Sequence, residues 1–120
     1  MIKDEKWLKE EFIATVQQRG AAVIKARGVS SAGSAANAVV DTVDSLINDT
    51  PGDDWHSVAV CSDGSYDVET GLISSFPIRV RAGRWEIVQG LPISDFSRAK
   101  IDASVAELKE EKSLVNELIS

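Results

Sequence analysis

Ser74-Ser75-Phe76-Pro77-Ile78-Arg79-Val80-Arg81-Ala82-Gly83-Arg84-Trp85-Glu86-Ile87-Val88-Gln89 is the stretch that decides the fold. Phe76, Ile78 and Val80 alternate with Ser75, Pro77, Arg79 and Arg81, the period of two of a strand with one buried face. Ala82-Gly83, between Arg81 and Arg84, has the length and the glycine of a tight hairpin turn. Alternation then resumes from Trp85 to Gln89. Pro77 has no amide proton to give to a ladder, so it predicts an edge strand or a bulge. Upstream, Trp55 to Ser62 sets Val58 and Val60 against Ser57, Ala59 and Cys61. Three strands joined by short turns predict an antiparallel sheet.

On either side of this sheet the period changes to that of a helix. Leu8, Phe12, Val16, Val23 and Ala26 recur at steps of three, four and seven. Gly20 interrupts them, which suggests a close approach by a neighbouring backbone. Gly28 follows Lys25 and Arg27 as a C-cap, with cations suited to the negative end of the helix. Ser30 or Ser31 caps a second helix whose apolar positions are Ala32, Ala36, Val39, Val43, Leu46 and Ile47. The turn-forming run Asn48 to Asp54, with Pro51, ends it. A long amphipathic helix, capped by Ser94 or Asp95, closes the chain with Phe96, Ile101, Val105, Leu108, Val115 and Ile119 on one face. Glu107 to Lys112 is its solvated side. Long helices flanking a small antiparallel sheet give an α+β domain spanning residues 1–120.

Composition narrows the classes of function. A chain of 120 residues has room for one ordinary domain. Its formal net charge of −6 argues against nucleic acid, because phosphate binding needs clustered Lys and Arg. No apolar run reaches the ~18–20 residues of a membrane span. The opening Met1-Ile2-Lys3-Asp4-Glu5-Lys6 reads as charged helix, not as a signal peptide. Cys61 is the single cysteine and cannot form an internal disulfide, which suits a reducing compartment. The expected location is the cytoplasm.

Little catalytic chemistry is visible in the residues. His56 is the only histidine; beside Trp55 on a strand, with no ligand-type neighbours, it reads as structural and no zinc site is expected. Cys61 reads as a small buried hydrophobe, and Asp53-Asp54 as a polar turn. The informative stretch is Gly28-Val29-Ser30-Ser31-Ala32-Gly33-Ser34. A glycine, hydroxyls and a helix start leave backbone N–H groups at the positive end of a dipole, which serves plain capping or contact with a carboxylate or phosphate. The stretch matches neither the dinucleotide fingerprint nor the P-loop.

Taken with what precedes it, this stretch resembles a known family. Trp7-Leu8, the run from Phe12 through Gln17-Gln18-Arg19-Gly20 to Arg27-Gly28, and Ser30-Ser31-Ala32 look like the C-terminal domain of malate dehydrogenases of the cytosolic and bacterial dimeric type. Asp63-Gly64-Ser65-Tyr66, Ser75-Phe76-Pro77, Ile87-Val88-Gln89-Gly90-Leu91 and Asp95-Phe96-Ser97-Arg98 extend the likeness over nearly the whole chain. Two stretches depart from it. Asp67-Val68-Glu69-Thr70 stands where relatives commonly have Gly and Pro, and Gly33 where they often have Met or Ala.

The resemblance implies an oxidoreductase that interconverts malate and oxaloacetate by hydride transfer with NAD. In that family a Rossmann domain binds NAD, arginines clamp the dicarboxylate and an Asp–His pair moves the proton. None of these motifs occurs in this sequence, so the isolated chain is expected to be inactive, with no catalytic, cofactor-binding or metal residues. The resemblance assigns Ser30 to substrate contact, with Gly33 and Ser34 leaving room beside it, and Arg19 to structural ion pairs. The expected partners are malate or oxaloacetate, the Rossmann half and a second copy meeting helices around Arg27 to Ile47. The alternative is a non-enzymatic, truncated interaction or dimerisation module.

Overall fold

The computed structural model describes residues 2–119, with the side chains of residues 117 and 119 left out. The expected place of Ile119 on an apolar helix face therefore lies outside the described side chains, as does Met1. The chain divides into two compact units, Met1–Asp41 and Thr42–Ser120.

In the first unit, α1 (Glu5–Trp7), a π-helical stretch (Leu8–Phe12) and α2 (Ile13–Arg27) follow one another without a break in helical dihedrals. The Asp4 carboxylate accepts the Trp7 amide at 2.9 Å and caps the start. The Trp7 and Phe12 rings lie 5.2 Å apart, centre to centre. Gly28 stops α2 in the left-handed region at φ 75°, its amide donating to the Ile24 carbonyl at 2.7 Å. Gly20 makes no close approach, because a Cβ built there would meet nothing within 4 Å. That expectation is corrected.

Helix α3 (Ala32–Ile47) begins in this unit and ends in the second. Neither α2 nor α3 contains a buried residue. Val39, Val40 and Ile47 are 63%, 65% and 69% exposed. The apolar faces legible in the sequence are thus formed but mostly uncovered, with Leu46 of α3 packed against the buried cluster of the second unit.

The second unit holds the core. Strands β1 (His56–Cys61), β2 (Ile73–Arg81) and β3 (Arg84–Ile87) form an antiparallel sheet in the order β1-β2-β3. Ala82 and Gly83, at φ 51° and 72°, make the hairpin turn. Phe76, Ile78 and Val80 are the buried face of β2, with Val68, Leu72, Ile87 and Val105 buried as well. Helix α4 (Asp95–Ile119) brings Ile101 and Val105 onto this cluster. Ser94 is its cap, the hydroxyl accepting the Ser97 amide at 3.2 Å.

Two sequence expectations fail in the sheet. Strand β2 is central, not an edge, and Pro77 sits within it opposite Ser57. The Pro77 carbonyl accepts the Val88 amide at 2.9 Å, just past the last residue of β3. N and C=O of one strand residue point to the same side, so the missing proton faces the side where β3 has ended. Cys61 is exposed, not buried. Val58 and Val60 pack against the core, and odd-numbered Ser57, Ala59 and Cys61 take the open face.

A strap of backbone closes the start of β1. The Thr50 amide donates to the Val80 carbonyl at 3.0 Å, and the Thr50 hydroxyl accepts the Val80 amide at 2.9 Å. Arg79 donates to the carbonyls of Asp53 and Asp54 at 2.8 and 3.1 Å. Arg81 donates to those of Thr50 and Gly52. The turn at Asp53-Asp54 is exposed, held through its main-chain carbonyls and by the Asp54 carboxylate, which accepts the Trp55 amide at 2.9 Å.

Candidate functional site

The turn from α2 into α3 places the residues the sequence singles out. Lys25 and Arg27 close α2, Gly28 reverses the chain, and Val29 and Ser30 are exposed ahead of α3. Ser31 and Ser34 come together hydroxyl to hydroxyl, one turn apart across the helix start. The Ser34 hydroxyl also reaches the Ser31 carbonyl at 3.4 Å.

No side chain among the described residues accepts from the amides of Ala32 or Gly33. The first N–H groups of α3 and its positive dipole end remain open to an anion. Ser30 stands apart from the pair, its hydroxyl without a hydrogen-bond partner among the described residues. A Cβ at Gly33 would meet nothing within 4 Å.

Other singled-out residues do not join this turn. Arg19 is exposed and makes no ion pair among the described residues, against the expectation of structural pairing, because α2 carries no acid within reach. His56 lies on β1 opposite Ile78, and its buried Nε2 has no hydrogen-bond partner among the described residues.

The second unit has its own polar centre, which periodicity did not reveal. Tyr66 and Asp67 adopt left-handed φ of 55° and 61°, a conformation non-glycine residues hold only when surroundings impose it. The Tyr66 hydroxyl donates to the Val88 carbonyl at 2.5 Å and accepts the Leu91 amide at 3.3 Å. Arg98 donates to the Tyr66 carbonyl at 2.7 Å and to the Asp102 carboxylate at 2.8 Å. Inside the same turn, the Ser65 hydroxyl and backbone amide, in that order, hold the Asp63 carboxyl below its ordinary value.

Glu69 then ties this turn to α4. Lys109 and Lys112 reach its carboxylate at 3.0 and 3.8 Å, and the Lys109 hydrogen bond and charge lower its pKa. The charge run on α4 is exposed, as its sequence suggests, but two of its lysines are engaged. The signal that could have found the pair was the departure at Asp67-Val68-Glu69-Thr70.

Comparison with known proteins places this geometry. Residues 1–119 match the family model of the lactate/malate dehydrogenase alpha/beta C-terminal domain. A crystal structure of malate dehydrogenase from Naegleria fowleri is 46% identical over 96% of this chain, with a TM-score of 0.86. A Trichomonas vaginalis lactate dehydrogenase, solved with NADH and oxamate, superposes with a TM-score of 0.85 over 98% of the chain at 24% identity, which shows the fold alone. The chain spans about a third of each, 35% and 37% of their lengths.

Proposed function

The chain belongs to the lactate/malate dehydrogenase family as its alpha/beta C-terminal domain, and from that premise we propose that it is the substrate-side wall of an NAD-dependent malate dehydrogenase. The observation that carries the reading is the exposed Ser30 hydroxyl, unpartnered beside open amides at the start of α3. A dicarboxylate such as malate or oxaloacetate brings the anion that this helix start suits. Ser30 donates to it, Gly33 and Ser34 leave space alongside, and the wall excludes water from the reacting carbon. Malate is chosen over lactate because the 46% identical structure is a malate dehydrogenase.

The residues present do not fit a dinucleotide. The sequence contains no GxGxxG turn, and α3 starts from a helix–turn–helix connection, not from a strand. Hydride and proton transfer are therefore assigned to the cofactor-side part of the parent protein, with NAD as its cofactor. The chain alone should form no NADH from malate, and turnover by the pure polypeptide would sink the proposal.

Joining it in frame behind the cofactor-side part of the Naegleria fowleri enzyme tests the substrate. Malate oxidation should then appear and exceed lactate oxidation. Ser30→Ala should lower kcat/KM by about 10- to 100-fold, the worth of a hydrogen bond to a charged group. Equal use of lactate, or an unchanged kcat/KM, would remove the reading.

A second reading follows from α3, whose Val39, Val40, Val43 and Ile47 are exposed. Such a face promotes association, as a homo-oligomer of the parent enzyme or a non-enzymatic interaction module. Sedimentation over a range of concentrations separates these from a strictly monomeric chain.

A further inference from the structure

We propose that the second unit carries a binding site for amphiphilic monocarboxylates, in the cavity between β2, the segment after β3 and α4. The cavity holds about 640 Å³, within the range of small-molecule sites, about 300–1,000 Å³. Its wall is apolar, built chiefly from Trp55, Tyr66, Phe76, Leu91 and Ile101. Lys100 is the one charged residue among those lining it and makes no ion pair with the described residues. Its ammonium stands 5.9 Å from the centre of the Phe96 ring, at the exposed rim.

The polar groups select the sign of the ligand. The Tyr66 hydroxyl is already engaged with Val88 and Leu91. Four lining serines, at 57, 74, 75 and 104, make no side-chain hydrogen bond with the described residues. A cation and free hydroxyls around an apolar hollow complement a carboxylate head and a hydrocarbon body. No carboxylate lines the cavity to favour a cation instead. The site does not rest on the dehydrogenase reading.

The test titrates the chain with hexanoate, octanoate and decanoate while following the indole N–H of Trp55 by NMR. Saturable 1:1 binding is expected, tightening about fourfold per added methylene (about 0.8 kcal/mol) until the cavity is full. Lys100→Gln should weaken decanoate at least tenfold, and Ser104→Trp, at an exposed helix position, should block it. Decyltrimethylammonium should bind far more weakly. Unsaturable uptake without a Trp55 shift, equal affinity for the ammonium probe, or an unchanged affinity in Lys100→Gln overturns the proposal.

Discussion

Ser62 shows how much one hydroxyl can hold. It is 2% exposed, donates to the Val68 carbonyl at 2.9 Å and accepts the Gly64 amide at 3.1 Å. Ser62→Ala leaves both backbone groups without this partner, so it should destabilise the chain by about 1–3 kcal/mol in a denaturant titration. Glu69 gives a pH signature. Its lowered pKa means the Lys109 and Lys112 contacts contribute fully above the ordinary glutamate value of 4.5 and fade as pH falls through the lower folded value. Glu69→Gln should therefore flatten the acid side of a plot of melting temperature against pH, and added salt should do the same to the parent chain. Periodicity singles out neither residue, and only the departure at Asp67 to Thr70 pointed toward Glu69. Alternation reports which face a strand residue takes, whereas these partners lie across turns or on a helix some forty positions away.

At the level of elements, strands and helices were legible because their periods are local. The hairpin at Ala82-Gly83, the cap at Ser94 and the stop at Gly28 each stand where turn and cap chemistry put them. Pro77 was misread because the rule concerns the ladder, and the ladder's length on one side is set by β3, a non-local partner. The exposed apolar residues of α3 mark a related limit: an apolar stripe shows that a face needs cover, not what covers it. Ile78→Ala, at a position 0% exposed, should cost about 2–5 kcal/mol. Val40→Ala, at 65% exposed, should stay within about 0.5 kcal/mol in a monomeric chain. Equal losses in thermal melts would contradict this division of the fold.

Across the whole molecule, the two units differ in how their backbone is protected. The buried cluster lies within Thr42–Ser120, while α2 carries no buried residue. Native-state hydrogen exchange should accordingly be much slower at Ile78 and Val80 than along α2, since protection tracks burial and local contact. The turn before α3 was legible as a candidate site through its capping residues. The role proposed for Ser30 rests on family likeness, because one free hydroxyl has no signature of its own. The strap from Thr50 to Asp54 has a practical corollary. Arg79 and Arg81 grip only its peptide oxygens, and the Asp54 carboxylate accepts the Trp55 amide at 2.9 Å, so the exposed side chain of Asp53 is the one that can be replaced. A dye attached through Asp53→Cys, in a Cys61→Ser background, would ride on a rigid mount and report on this end of the sheet without disturbing what anchors it.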